Sequence, residues 1–174
     1  MKSKLLLLFV IISYGLNAQK CSYLTDKTDE FTSKKIVETI SQAVTSSGIL
    51  SNDLWSMNVF FAINDNQLQI GFSSEGRYYV PYFVDSCVIK MESGQIIKLN
   101  GFTSNGVYEN KSNYSSQKSY SPISKPIVEQ FKNDKVKLIR LFSYGQQIFT
   151  DDIEIKLQKA EKIQKLASCI LEKL

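Results

Sequence analysis

The chain has 174 residues, 43% of them hydrophobic, and a formal net charge of +4 with no histidine. This length and apolar content are those of one ordinary domain. The lack of histidine excludes most serine and cysteine hydrolases, which use it as the base, and most zinc and iron sites, which use it as a ligand.

The N-terminus predicts an export signal. Two lysines precede an apolar run over residues 5–12, and a small residue follows at Ala18. A charged start, a short apolar segment and a small residue at the cut are what a signal peptidase reads, and the run is too short to span a bilayer. We expect residues 1–18 to be removed and the mature domain, residues 19–174, to begin at Gln19 outside the cytoplasm.

The composition of the mature chain limits the classes of partner and the compartment that we expect. Loss of the two leader lysines lowers the formal net charge from +4 to +2, with the remaining lysines spread among acidic residues. No basic field is left to attract nucleic acid, and no second apolar span predicts a transmembrane segment. Lys20 directly before Cys21 does not fit the small-residue box of a lipoprotein signal. We therefore expect a soluble periplasmic or secreted protein without a lipid anchor.

Three cysteines allow one disulfide and leave one thiol, since export brings an oxidising compartment. Cys87 alternates with apolar residues in a predicted strand and reads as a buried small hydrophobe. That leaves Cys21 and Cys169 as the predicted pair. The other two pairings stay open, and the lack of a C-x-x-C motif disfavours a redox-active thiol.

Hydrophobic alternation predicts antiparallel strands in the middle of the chain. Apolar residues occupy every second position over 55–63 and resume after a turn at Asn64, which predicts a hairpin. A second hairpin is predicted over residues 87–99. Residues 36–44 fit a helix or a strand, and their β-branched content favours a strand. The polar stretch 103–121 is expected to be a surface connection or a ragged edge strand.

Two helices are predicted in the last third of the chain. Ser124 resembles a helix cap before a short apolar face, and the next strand, residues 136–142, is apolar on both faces and so predicted to be central. From Asp151 onward the apolar spacing becomes helical, with Asp151 and Glu154 as a capping-box-like start. The predicted fold is therefore α+β: a single antiparallel sheet of about six to seven strands packed by a C-terminal amphipathic helix, with one short helix before the last strands.

Aromatic residues supply one candidate binding surface. Tyr78, Tyr79, Tyr82 and Phe83, with three further tyrosines at positions 108, 114 and 120, can form a platform for a sugar or an extended peptide. Ordinary cross-strand packing explains the same residues. No cofactor is predicted.

Charged residues supply weaker candidates. Asp26, Asp29 and Glu30 provide oxygen ligands of the kind calcium uses, but their spacing is not that of an EF-hand, and a solvated acidic turn explains them as well. Arg140 shares a predicted strand face with Val136 and is expected to be partly buried against a carboxylate. The sequons at positions 110 and 113 suit a surface loop.

Several short segments resemble small exported proteins of Bacteroidota-type bacteria. They are KCSY at 20–23, DEFT at 29–32, the hairpin at 91–99 and KLIR at 137–140, and the junction NAQ at 17–19 is similar to signal cuts in that group. The resemblance implies a bacterial periplasmic or secreted protein. It carries no activity and therefore transfers no functional residue.

Three functions follow as hypotheses. The first is a non-catalytic exported module that binds a protein, a peptide, a glycan or another envelope component. The second is a carrier of a small apolar ligand, with a pocket in the curved sheet lined by Trp55, Phe61 and the run 78–83. The third is an enzyme that uses carboxylates alone, such as a glycosidase. Because no catalytic motif is present, the sequence favours a protein that is not an enzyme.

Overall fold

The computed structural model describes residues 20–46, 55–77, 83–105, 114–144 and 149–174. Within these ranges the chain forms antiparallel strands and two helices. In chain order they are β1 (Tyr23–Thr28), β2 (Lys35–Thr39), β3 (Gln42–Ser46), β4 (Trp55–Asn64), β5 (Gln67–Arg77), β6 (Phe83–Met91), β7 (Ile96–Leu99), β8 (Thr103–Asn105), β9 (Tyr114–Pro122), α1 (Lys125–Asn133), β10 (Val136–Tyr144), β11 (Phe149–Glu154) and α2 (Leu157–Leu171).

The strands form two sheets, so the prediction of a single sheet is wrong. A seven-stranded sheet has the order β1-β2-β4-β5-β9-β8, with β3 also paired to β4, and a four-stranded sheet has the order β11-β10-β6-β7. The fold is α+β only in the broad sense. The chain leaves the large sheet after β5 and returns to it at β8 and β9, of which β9 pairs with β5. The local sequence pattern does not indicate which strands distant in the chain pair with each other. The hairpins β4–β5 and β6–β7, whose strands are consecutive, are those predicted.

Strand β9 occupies the segment that we expected to be a connection or a ragged edge. Its residues Gln117, Ser119 and Ser121 are buried although they are polar, so the alternation has no apolar signature. Their hydrogen bonds explain why burial is tolerated. The Val84 N–H donates to Ser119 Oγ at 3.1 Å, and Ser121 Oγ donates to the carbonyl of Asn100 at 3.1 Å. The first of these bonds joins the two sheets, since Val84 begins the buried part of β6.

The C-terminal helix α2 begins at Leu157, six residues later than predicted. Residues 149–154 form β11 instead, where Ile153 is buried and Asp152 is exposed. The spacing from Ile153 to Leu157 fits a helix by coincidence, and Leu157 itself is 55% exposed. The predicted capping box at Asp151 and Glu154 is therefore wrong, and Lys156 stands at the N-cap position.

Both sheets and both helices contribute to one hydrophobic core. Phe61 from β4 packs edge-to-face on Phe131 from α1, with ring centroids 5.4 Å apart. Ile89 and Leu141 come from the small sheet, and Ile163 comes from α2. Strand β10 lies between β11 and β6, the central position that its two apolar faces predict. Residues 36–44 are extended, with β2 and β3 on either side of position 40.

The N-terminus of the described chain is fastened to the end of α2. Cys21 and Cys169 lie at disulfide distance, with Cα atoms 5.5 Å apart, which is the predicted pairing. The Tyr23 hydroxyl donates to the carbonyl of Cys169 at 2.9 Å, and Lys173 pairs with Asp26 at 2.6 Å. Cys87 is free and buried in the core, as predicted. Among the described residues, no helix has the length and apolarity needed to cross a membrane.

Candidate functional site

The large sheet is buried on both faces at its centre. Strand β4 directs Met57, Phe61 and their alternate neighbours into the core. On the opposite face, which we call the outer face, Phe60 is only 1% exposed although it is not part of that core cluster. A residue buried on the side of a sheet that is turned away from the core must be covered by other side chains. The outer face therefore holds a second, separate packing site.

Phe60 is accommodated because the residue opposite it is glycine. Gly71 on β5 pairs directly with Phe60, and a Cβ atom at Gly71 would overlap the phenyl ring. The ring lies across β5 toward β9, where it packs edge-to-face on Tyr120 with centroids 5.4 Å apart. Glycine here serves close approach of a side chain.

An ion pair crosses the outer face beside the Phe60 ring, and its two side chains come from strands on opposite sides of that ring. Lys118 on β9 and Glu38 on β2 form an ion pair with Nζ and Oε1 2.5 Å apart, which we call the Glu38–Lys118 bridge. Strands β4 and β5 lie between β2 and β9, so the backbones are separated by three strand spacings, about 14 Å in a flat sheet. Both side chains therefore extend across the outer face. Lys118 Nζ also lies 5.2 Å from the centroid of Phe60, a cation–π distance.

Tyr120 adds a neutral hydroxyl to the bridge. Its O–H donates to Glu38 Oε2 at 3.4 Å. Burial raises the pKa of the Tyr120 hydroxyl, and the charge of Glu38 and the hydrogen bond to it raise that pKa further. The phenol is therefore a protonated donor throughout the physiological pH range.

A cavity of about 270 Å³ opens on the outer face beside the bridge. Ala62 of the inner strand β4 and residues of both edge strands of the large sheet line it. The lining residues combine hydroxyl, amide, carboxylate and small apolar groups: Thr25, Ile36, Val37, Glu38, Ala62, Ile63, Asn64, Gln69, Thr103 and Tyr120. Because residues of β1 and β8, the two edge strands of the sheet order, line the same cavity, the outer face is concave.

A polar strip continues the outer face beyond Phe60. Asn58 Nδ2 donates to Ser73 Oγ at 3.2 Å and to Ser56 Oγ at 3.3 Å, and Ser73 Oγ contacts Glu75 Oε1 at 3.4 Å. Within the described residues, every buried side-chain nitrogen and oxygen has a hydrogen-bond partner. The strip is thus a satisfied network that stiffens the floor of the outer face.

Most of the predicted aromatic surface lies outside the described residues. Tyr78, Tyr79 and Tyr82 lie outside the described residues, as do the leader and its cut between Ala18 and Gln19. Phe83 is the first residue of β6 and pairs with Tyr144. The surface stays a prediction, and Tyr120, the last tyrosine considered with it, belongs to the outer face.

The acidic residues near the start of the described chain make separate contacts. Asp26 pairs with Lys173, and Asp29 Oδ1 accepts hydrogen bonds from the Thr32 N–H at 2.7 Å and the Thr32 hydroxyl at 2.8 Å. The hydroxyl bond is the main cause that lowers the pKa of Asp29. The structure thus shows an acidic turn that is stabilised by hydrogen bonds to the Asp29 side chain. In the described part of the chain, no cluster of three or more metal-ligating side chains is found.

Arg140 lies on the solvent side of the small sheet, so the prediction of a partly buried charge is wrong. A register shift between Val136 and Leu138 places the buried Val136 on the other face from Arg140. The guanidinium forms a bidentate pair with Asp152, with N–O distances of 2.5 and 2.7 Å. The expected carboxylate partner is present, and both side chains of the pair are about half exposed.

Sequence reasoning did not identify Glu38, Lys118 or Phe60 as parts of one site. Each lies on a different strand, and the β9 segment is predicted to be a connection or a ragged edge strand, so the sequence does not place Lys118 near Glu38. The one usable signal was Phe60, a large apolar residue at a position where alternation in 55–63 predicts solvent.

Comparison with known proteins gives no family for this chain. No family model matches it, and neither the curated proteins nor the solved structures contain a significant match.

Proposed function

We propose that this protein is an exported, non-catalytic binding module that takes up a small polar ligand in the concave outer face of its large sheet. One observation carries the proposal. Residues of six strands line a single cavity, and six of the ten have side chains that can form hydrogen bonds. A few convergent polar groups in a concave site are what fix the orientation of a bound ligand and give specificity.

The lining argues against an apolar-ligand carrier. Phe61, which that hypothesis placed in the pocket, is fully buried against Phe131 on the opposite face. Phe60 faces the outer side but is covered by Lys118 and Tyr120. An apolar ligand would meet hydroxyls and amides there, whose desolvation costs free energy without replacement hydrogen bonds.

The same lining argues against a carboxylate-only glycosidase. Such an enzyme needs two carboxyl groups on either side of the scissile bond. Among the described residues that line the cavity, Glu38 is the one carboxylate, and the Glu38–Lys118 bridge occupies it. The proposed role of Glu38 is therefore to hold the site in shape.

Export belongs to the same proposal. A leader is predicted at residues 1–18, and Cys21 and Cys169 lie at disulfide distance, a pairing that persists in oxidising compartments. The resemblance to Bacteroidota-type exported proteins would place the module in the periplasm or outside the cell. Its ligand would then be an envelope or extracellular component.

The experiment is an amide NMR titration of the mature, oxidised protein with a panel of small polar probes. The panel contains methyl glycosides, free amino acids and short dicarboxylates. We expect saturable shifts at Thr25, Gln69 and Thr103, on three strands around the cavity. Shifts confined to the small sheet, or none with any probe, would refute the proposal.

A filling variant tests the location. Ala62→Leu places a larger side chain in the cavity and should abolish the shifts, because Ala62 lines the cavity and is not part of the core cluster. Thr28→Leu, at an exposed position of β1 that does not line the cavity, is the matched control and should bind as the parent does. Thermal unfolding of both variants shows whether either has lost its fold.

A further inference from the structure

We infer that the ligand is a neutral sugar ring, an inference that rests on the proposed function and names the chemical class of its ligand. The argument uses the charge, the hydrogen-bonding groups and the apolar surface of the cavity in turn.

The cavity offers no uncompensated charge. Glu38, the charged side chain in the lining, is held at 2.5 Å by Lys118, so the two charges cancel at the wall. An anionic ligand would face the Glu38 carboxylate, and a cationic ligand would have to compete with Lys118 for it. Breaking the Glu38–Lys118 bridge to receive a charged ligand would leave one partly buried charge without its partner, which costs free energy. A neutral ligand is therefore favoured.

The hydrogen-bonding groups suit a molecule with many hydroxyls. Thr25, Thr103 and Tyr120 offer hydroxyl groups, and Gln69 offers both an amide donor and an amide acceptor. They come from β1, β5, β8 and β9, so they surround a ligand and do not line one side of it. A ring that presents hydroxyls around its rim can pair with such a circle of mixed donors and acceptors.

The remaining lining is apolar and small. Ile36 forms part of one wall, and Ala62 forms part of the floor. A sugar ring has a C–H face that packs on such groups, while its hydroxyls reach the polar ones. A nucleobase would instead require parallel aromatic surfaces, and the one described aromatic side chain in this lining is Tyr120, already packed edge-to-face on Phe60.

The volume sets the size of the ligand. At about 270 Å³ the cavity lies just below the range of sites for drug-sized molecules, roughly 300 to 1,000 Å³. One ring fills it, and an oligosaccharide would place a single residue inside. The inferred ligand is thus one neutral sugar residue, free or at the end of a glycan.

The test compares sugars with charged probes of similar size on the oxidised protein. Methyl glycosides of glucose, galactose, mannose and N-acetylglucosamine are titrated beside glutamate, lysine and succinate, with amide shifts as the readout. We expect at least one glycoside to give saturable shifts at Gln69 and Thr103, with a dissociation constant of about 1 mM, and the charged probes to give none.

Two variants and their controls locate the contacts. Gln69→Ala and Thr103→Val should each weaken glycoside binding about three- to tenfold, the loss expected for one or two hydrogen bonds. Gln95→Ala in the β6–β7 turn and Thr28→Val on β1 should leave it unchanged, since neither residue lines the cavity. Unfolding curves of all four variants show whether the folds are intact.

The outcomes separate the two claims. Charged probes that shift these residues while no glycoside does would overturn the sugar assignment and leave the binding module standing. Silence from every probe would overturn both claims. Glycoside shifts that map away from Gln69 and Thr103, or that the Gln69 and Thr103 variants leave untouched, would place the sugar elsewhere and overturn both as well.

Discussion

Gly71 lies directly opposite Phe60 in the β4–β5 register, and the phenyl ring occupies the space that any side chain at Gly71 would need. The ring then reaches Tyr120, to which Gly71 is paired on its other side. Gly71 thus leaves room for the Phe60 side chain to cross β5 and pack on Tyr120 in the outer face.

Gly71→Ala should destabilise the protein by about 1 to 3 kcal/mol, because the methyl group overlaps a ring that has no free direction in which to move. Denaturant unfolding measures the loss. The double variant Phe60→Leu with Gly71→Ala should lose less than the two single losses together, since the smaller side chain frees the space. Simple additivity of the two single changes would contradict this account of Phe60 and Gly71.

The Glu38–Lys118 bridge should matter more to stability than the exposed pair Lys34–Asp65. The Lys118 and Glu38 side chains are 33% and 15% exposed, against 46% and 58% for Lys34 and Asp65. Lys118→Met leaves a shielded carboxylate without its cation and should cost about 1 to 2 kcal/mol. Lys34→Met should cost less than about 0.5 kcal/mol.

Urea unfolding of the two methionine variants at neutral pH provides the comparison. The salt dependence is a second readout, because exposed pairs are screened by salt more than shielded ones. Equal losses for Lys118→Met and Lys34→Met would show that the bridge is an ordinary surface contact. The outer face would then lack the fixed wall on which the ligand argument depends.

Local pattern predicted the hairpins of this fold but not its sheets. The β4–β5 turn is a clear case: Asp65 and Asn66 have positive φ values of 52° and 64°, as a two-residue hairpin turn requires, and both residue types tolerate that conformation. The choice of β9 as the next partner of β5 depends on tertiary contacts. Its buried serines form hydrogen bonds with β8, with the backbone of β6 and with the carbonyl of Asn100, and no apolar alternation reveals them.

The candidate site escaped prediction for a related reason. Glu38 lies in a segment for which the sequence favours a strand over a helix, and Lys118 lies in a segment predicted to be a surface connection or a ragged edge strand. A contact that spans three strand spacings can be found only when the order of the strands is known. The pairing of Cys21 with Cys169 could be proposed because elimination among three cysteines needs no strand order.

Tyr120 should make stability fall in alkaline solution. Its pKa is raised above the usual tyrosine value of 10.0, first by burial and then by the charge of Glu38. The neutral phenol is favoured in the folded state, so this contribution is fully present below pH 10 and is lost as the pH rises above it. Denaturant midpoints should be level from pH 9 to 10 and decline above pH 10.

Tyr120→Phe should reduce that decline, because phenylalanine does not titrate. A residual slope is expected from Tyr23, whose pKa burial also raises. Spectrophotometric titration at 295 nm gives an independent reading, since Tyr120 should resist ionisation until the protein unfolds. An unchanged pH profile in Tyr120→Phe would contradict the shielding of this hydroxyl by the outer face.

Cys87 should be chemically silent in the folded protein. It is buried in the core, and burial raises the pKa of its thiol, so almost no thiolate is present at neutral pH. A thiol reagent such as DTNB should label no cysteine in the native, oxidised chain. It should label one after denaturation without reductant. Rapid labelling of the native protein would show that this thiol is accessible.

Removing the link between Cys21 and Cys169 should be the most destabilising change proposed. The two residues are 148 positions apart, and loss of a native disulfide typically costs about 2 to 5 kcal/mol, the upper part of the range applying to long loops. The double variant Cys21→Ala with Cys169→Ala should therefore unfold at much lower denaturant than the oxidised parent. The parent in reductant should match the variant, because both lack the same covalent link. The denaturation midpoint of the parent should therefore fall in reductant. If it does not change, the hydrogen bond from Tyr23 and the Lys173–Asp26 pair are enough to hold the N-terminus of the described chain.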